Sequence, residues 1–305
     1  MKSHSADWFQ PVARDSANQE MIVRPSLNYW QDAWRRLRKN KLAMTGLFVL
    51  VIIALMSIFM PMLSPYDYDY QDYSASNLKP NAEHWFGTDA FGRDLWVRVW
   101  SGTRISLFIG VVAAAIDLVV GVIYGGISAY YGGRVDNIMQ RIREIIYSVP
   151  YLIVAILLIM VLGPGIRSII IAYALTGWVP MSRLVRGQLL SLKEQEFVMA
   201  ARTLGANARR IIFRHLVPNC LGIIIVQITL VVPSAIFFES FLSFIGLGVA
   251  PPKASLGTLM NDGAISMRYY PHRLLFPTAV FSLILLSCNI LGDGLRDALD
   301  PKMRK

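Results

Sequence analysis

EFVMAARTLGANARRIIFRHLVP, residues 196–218, is a basic stretch of helix-forming residues set between two long apolar segments. Phe197, Ala200, Ala201 and Leu204 recur at the i, i+3, i+4, i+7 spacing, which predicts a short helix with one apolar stripe. Gly205 permits a turn that a residue with a Cβ resists, and Ala206 to His215 predicts a second short helix. Pro218 suits the first turn of the next membrane segment, where its missing N–H loses no hydrogen bond. The stretch reads as helix, turn and helix on a membrane surface. On geometry alone an interfacial linker between two spans explains it equally well.

The composition around it fits that setting. Of 305 residues, 54% are hydrophobic and only 16% are charged, against about 25% charged in a soluble domain. Six apolar segments follow one another: Met44–Leu63, Ile105–Tyr131, Ile145–Leu162, Ser168–Ser182, Cys220–Phe238 and Leu274–Leu291. The third ends at the breaker Gly163-Pro164-Gly165, and the fourth, short and holding Gly177 and Pro180, is expected to kink and continue toward Leu190. The first apolar run starts at Met44, later than a secretory signal would begin, so an uncleaved first span is expected. The expectation is an all-α membrane protein with six transmembrane helices in a lipid bilayer.

The net charge of +10 is distributed by topology. Lys and Arg number eight in residues 1–43, three in 130–144, six in 186–217 and four in 296–305, giving 21 on one side. The intervening segments 64–104, 163–167 and 236–273 hold four, one and three, giving eight. The positive-inside rule then places both termini and residues 196–218 in the cytoplasm, and nucleic acid is not needed to explain the charge.

Chemistry of its own is not apparent in the chain. No lysine follows a glycine, so there is no Walker A phosphate loop. Cys220 and Cys288 lie in apolar segments as packing residues, and the four histidines are scattered, so no metal site, cofactor or catalytic constellation is expected. Asp117 is the one acid well inside a span and a candidate for the pathway; a single acid is thin support for a proton relay. Thr88 or Asp89 is expected to cap a short helix whose Leu95, Trp96, Val99 and Trp100 share a face suited to the membrane interface. Residues 239–252 are expected either to dip back toward the pathway, with Glu239, Phe241 and Phe244 as gate candidates, or to form an ordinary interfacial turn.

Ala200-Ala201, Gly205 and Pro218 resemble the EAA loop of ABC importer permeases, with Met199 where that family usually has Glu. FGTDAFGRD at 86–94, YYGGRVDNIMQRI at 130–142, SFLSFIGLGVAPP at 240–252, SLGTLMNDG at 255–263 and LGDGLRDALDP at 291–301 are similar to motifs of the peptide/nickel class of these permeases. NYWQDAWRR at 28–36, VRGQLLSLKEQEF at 185–197 and VPSAIFFESFLSFIGLG at 232–248 resemble the C-type permease subunits of oligopeptide importers. The resemblance implies the type I importer permease fold. Its parts would be a cytoplasmic segment 1–43, a first span and periplasmic segment 44–101, a transmembrane domain 102–292 and a tail 293–305. It also implies a coupling loop at 194–218, in which Glu196, Met199, Ala200, Ala201, Arg202, Gly205 and Pro218 would meet an ATPase. The implied partners are a second homologous permease, two ATP-binding subunits and an extracytoplasmic binding protein that delivers peptide, all at a bacterial inner membrane. Dipeptides, nickel or antimicrobial peptides are alternative cargoes, and an ATP-independent secondary transporter is the alternative class.

Overall fold

The computed structural model of the protein describes residues 29–299. Most of the expected N-terminal segment, the last residues of the tail and the positions of both termini lie outside the described residues.

A short amphipathic helix, α1 (Tyr29–Lys39), leads into α2 (Lys41–Leu63), whose first turn is capped by Asn40 accepting from the Ala43 N–H at 3.1 Å. The chain then crosses and recrosses. α3 (Leu95–Ile116), a π-helical segment (Asp117–Gly121) and α4 (Val122–Tyr131) run as one rod. α5 (Gly133–Ser148) and α6 (Tyr151–Leu162) form a pair bent by 74°. α7 (Ile166–Thr176) and α8 (Val179–Lys193) return together. After α9 (Glu196–Thr203), the turns α10 (Ala208–Arg210) and α11 (Val217–Asn219), joined by a π-helical segment (Ile211–Leu216), merge into α12 (Leu221–Phe244). α13 (Leu256–Ser266) and α14 (His272–Leu299) complete the order.

Among the described residues five helices are long and apolar enough to cross a bilayer, and the count reaches six if the bent pair α5–α6 is taken as one span. α9 marks one end of the bundle, called here the loop end; Lys193 and Arg202 reach Ala129 and Tyr130 there. The start of α3, α13 and the start of α14 mark the far end, where Val99, Trp100, Leu256 and Ile284 share a core with Ile236 of α12. A second core at the loop end joins Met181, Val185 and Leu189 of α8 to Val198 of α9, Leu216 and Ile224. The loop helix is thus anchored to two membrane passes by apolar packing.

α4 and α8 lie nearly backbone to backbone. A Cβ on Gly125 would stand 2.6 Å from the Ser182 carbonyl oxygen and 3.0 Å from Val185 Cβ. Gly125→Val should therefore force the helices apart and destabilise by at least the roughly 1–3 kcal/mol typical of overpacking. Gly187→Val, where nothing lies within 4 Å of the added carbon, is the control. Thermal unfolding in detergent should separate the two; equal midpoints would contradict the close packing.

Several sequence expectations shift. The third apolar segment does not rise from Ile145: the chain breaks at Val149-Pro150, because proline disfavours helix in the residue before it. Asp94, not Thr88 or Asp89, caps α3 through the Val97 N–H at 2.9 Å, while Asp89 pairs with Arg93 at 2.7 Å. Leu95, Val99 and Trp100 are buried in protein: Val99 and Trp100 share a core with α2, α12, α13 and α14, and Trp85 and Phe86 pack on Trp96. The boundaries 43/44, 101/102 and 292/293 lie within the residue ranges of α2, α3 and α14. Glu239, Phe241 and Phe244 belong to an unbroken helix; α12 stops only beyond Phe244, where Gly246 takes φ +84°.

Candidate functional site

The loop end presents a helical hairpin turn. α9 is closed by paired bonds from the Gly205 N–H to the Arg202 carbonyl (2.9 Å) and from the Ala206 N–H to the Ala201 carbonyl (3.0 Å). This pattern requires a left-handed residue after the helix, and Gly205 supplies it with φ +78°. Asn207 then starts the next helix by accepting from the Arg210 N–H at 2.9 Å. Of the predicted stripe, Ala201 faces inward with Val198, whereas Phe197 and Leu204 are exposed, Leu204 by 86%. Met199 and Ala200 face outward with Glu196 and Arg202, and Arg202 also lies over the Tyr130 ring at 5.4 Å. Pro218 sits in the first turn of α11 and is exposed.

Behind the hairpin, Asp136 of α5 ties three helices together. It accepts from Ser128 of α4 at 2.5 Å, from Arg186 of α8 through Nε at 2.6 Å and Nη2 at 2.5 Å, and from Gln140 at 3.1 Å. The fork-on-fork geometry with Arg186 fixes orientation as well as distance.

Deeper in the bundle is a cavity of about 490 Å³, open to the surface where Tyr147 and Leu230 are exposed. Asp117, Tyr151, Tyr173, Thr176, Gln227 and Phe238 are among its lining residues. The passes that line it are interrupted or carry a proline near this level. Asp117 opens the π-helical segment, Val149-Pro150 breaks α5 from α6, Gly177-Trp178 separates α7 from α8, and Pro233 sits within α12. Irregular backbone at membrane depth is tolerated where it is buried in protein or lines a cavity.

The gate candidates separate from it. Glu239 is fully buried, accepting from Ser106 at 2.7 Å and from Ser243 at 2.8 Å, and it does not line the cavity. Phe241 and Phe244 are half-exposed on the end of α12, away from it. Asp117 alone of the four lines it. Sequence reasoning passed over Tyr151, Tyr173 and Phe238; the breakers Pro150, Gly177 and Pro233 were the available signal.

Comparison with known proteins gives concordant matches. The model of the family described as binding-protein-dependent transport system inner membrane component matches residues 118–305, and that of the N-terminal transmembrane domain of oligopeptide transport permease C matches residues 28–80. The oligopeptide transport system permease protein OppC of Bacillus subtilis (strain 168) is 52% identical over 305 residues, covering 100% of both chains. The dipeptide transport system permease protein DppC of the same organism is 53% identical over 302 residues, covering 98% of this chain and 94% of its own. A chain of the inward-facing MetNI methionine ABC transporter superposes with a TM-score of 0.54 at 16% identity, covering 65% of this chain and 94% of that one, a likeness of fold.

Proposed function

The chain belongs to the binding-protein-dependent transport system inner membrane components, and from that premise we propose that it is the permease subunit of an ATP-driven peptide importer. It forms half of a translocation path with a second homologous permease and does no chemistry itself; two ATPase subunits hydrolyse ATP beneath it. The loop end then faces the cytoplasm, in accord with its basic charge. The far end faces the extracytoplasmic binding protein. Peptide is the cargo that the names of the OppC and DppC relatives suggest, and their near-equal identities favour neither length class.

One observation carries the coupling role. α9 packs Val198 and Ala201 inward and leaves Phe197, Met199 and Leu204 exposed at the basic end. An ATPase groove that accepted both Phe197 and Leu204 would gain about 1.5–3 kcal/mol from Leu204 and roughly half that from Phe197, which is 41% exposed. Replacing both with Ser should therefore weaken ATPase association by roughly two or more decades while the second permease still co-purifies. The test is tagged purification in mild detergent with the accompanying chains identified by mass spectrometry. Recovery of wild-type protein without P-loop ATPases, still moving peptide in ATP-free vesicles, would defeat the proposal.

A further inference from the structure

The cavity and a smaller recess next to it carry opposite charge. Asp117 is 1% exposed, and among the described residues its Oδ1 has no hydrogen-bond partner and no Lys, Arg or His lines the cavity with it. Around it stand the rings of Tyr151, Tyr173 and Phe238, with Tyr151 5.0 Å from Phe238 and 6.2 Å from Tyr173. A buried carboxylate oxygen without a partner, beside aromatic faces, suits an alkylammonium group.

The recess, about 250 Å³, lies toward the loop end and is lined by Gln140, Arg143, Glu144, Arg183 and Arg186. Its acids are engaged: Glu144 with Arg141 at 2.8 Å, and the neighbouring Asp136 with Arg186. Arg143 and Arg183 have no ion-pair partner among the described residues, and Arg143, only 2% exposed, has an Nη1 with no hydrogen-bond partner. An arginine fork in that state suits a carboxylate. The two spaces share a wall: the Arg183 guanidinium lies 4.3 Å over the ring of Tyr147, and Tyr147 lines the cavity.

We propose that the two spaces bind the two ends of one zwitterion: the Asp117 cavity takes the amino-terminal ammonium of a peptide, and the Arg143–Arg183 recess takes its carboxylate. Cargo then lies with its carboxylate toward the loop end. This rests on the peptide-importer reading and adds the polarity of the cargo within the path. Asp117, Arg143 and Arg183 are the contacting groups; Tyr147 is the divider that a passing chain must displace.

The test uses the assembled importer with its binding protein in proteoliposomes. It is given tetrapeptides with both termini unblocked and p-benzoylphenylalanine in the first or the last position. On illumination during turnover, the first-position probe should label segments 146–151 and 227–238, and the last-position probe should label 140–144 and 183–186. Reversed labelling, or labelling of neither region while ATP-dependent uptake proceeds, overturns the inference and leaves the importer reading standing. Absence of ATP-dependent peptide uptake by the wild type removes both. Asp117→Asn should raise the KM for uptake about tenfold, the worth of one charge-assisted contact, and remove the first-position label alone. Asp117→Glu should restore part of both. Equal loss of the two labels in Asp117→Asn would mean a merely structural acid and would overturn the assignment.

Discussion

A Gly205→Val variant should insert at the wild-type level and keep its second permease, yet lose most of its peptide uptake. The reason is conformational. Gly205 holds φ +78°, and nothing lies within 4 Å of where a Cβ would stand, so the added side chain meets open space. What it meets instead is its own backbone: a non-glycine residue held in the left-handed region costs about 1–3 kcal/mol, and a β-branched one lies at the upper end. The turn would relax toward ordinary φ, breaking the bonds from Gly205 to Arg202 and from Ala206 to Ala201 that set the angle between α9 and the helix after it. At 2 kcal/mol the native turn falls about thirtyfold in relative population. The ATPases would still bind and hydrolyse, but their motion would reach α12 through a slack joint. The ordering of substitutions separates this account from loss of packing. Asn tolerates the left-handed region better than other residues with a Cβ, so uptake should fall in the order Gly, Asn, Ala, Val at constant membrane abundance. Normal uptake by the Val variant, or equal uptake by Asn and Val, would remove Gly205 from the coupling mechanism.

The turn was legible because glycine at a helix end, between an apolar stripe and a new helix, has a local cause. Much of the membrane architecture was legible for the same reason: runs of apolar residues and the placement of Lys and Arg act within single segments. What escaped depends on contacts between distant segments. Glu239 resembled a gate acid because its sequence neighbours are Phe237, Phe238 and Phe241. The Ser106 hydroxyl that holds it lies 133 positions away, on a different pass. The stripe containing Trp96 and Trp100 resembled an interfacial belt because nothing local indicates that Trp85 and Phe86 pack on Trp96 or that distant helices bury Trp100.

The cavity was half legible. Pro150 and Gly177 each announce a break, but that both line the cavity with Asp117 follows only from how the passes align. The π-helical segment at Asp117–Gly121 holds no proline and ends on a glycine. That residue, Gly121, packs against Met181, so the irregular turn goes with close approach to α8. Asp117 was found by its rarity, an acid inside a span, whereas its aromatic surroundings come from three other segments.

The Asp136–Arg186 pair should show strong energetic coupling in a double-mutant cycle. Asp136→Ala removes the acceptor of two Arg186 bonds and of the Ser128 and Gln140 bonds, leaving Arg186 with no acid partner. Removing one member of a fully buried pair costs about 3–5 kcal/mol. Here the Arg186 side chain keeps 23% of its surface exposed, against 9% for Asp136, so water recovers part of that loss and about 2 kcal/mol is the better expectation. Arg186→Ala should cost a similar amount, because Asp136 then keeps only its Ser128 and Gln140 contacts. The double variant should cost little more than either single one, giving a coupling of about 1.5–2 kcal/mol. Arg186→Lys should behave more like Ala than like the wild type, since an ammonium cannot make the two parallel bonds that the fork makes. Denaturant unfolding in detergent measures the four corners. Additive losses would mean that the two groups stabilise independently and that α4, α5 and α8 are held by apolar packing alone. Strong coupling would instead make this pair the rigid link between the hairpin at the loop end and the arginine recess, since Arg186 belongs to the recess and lies on the helix that leads into α9.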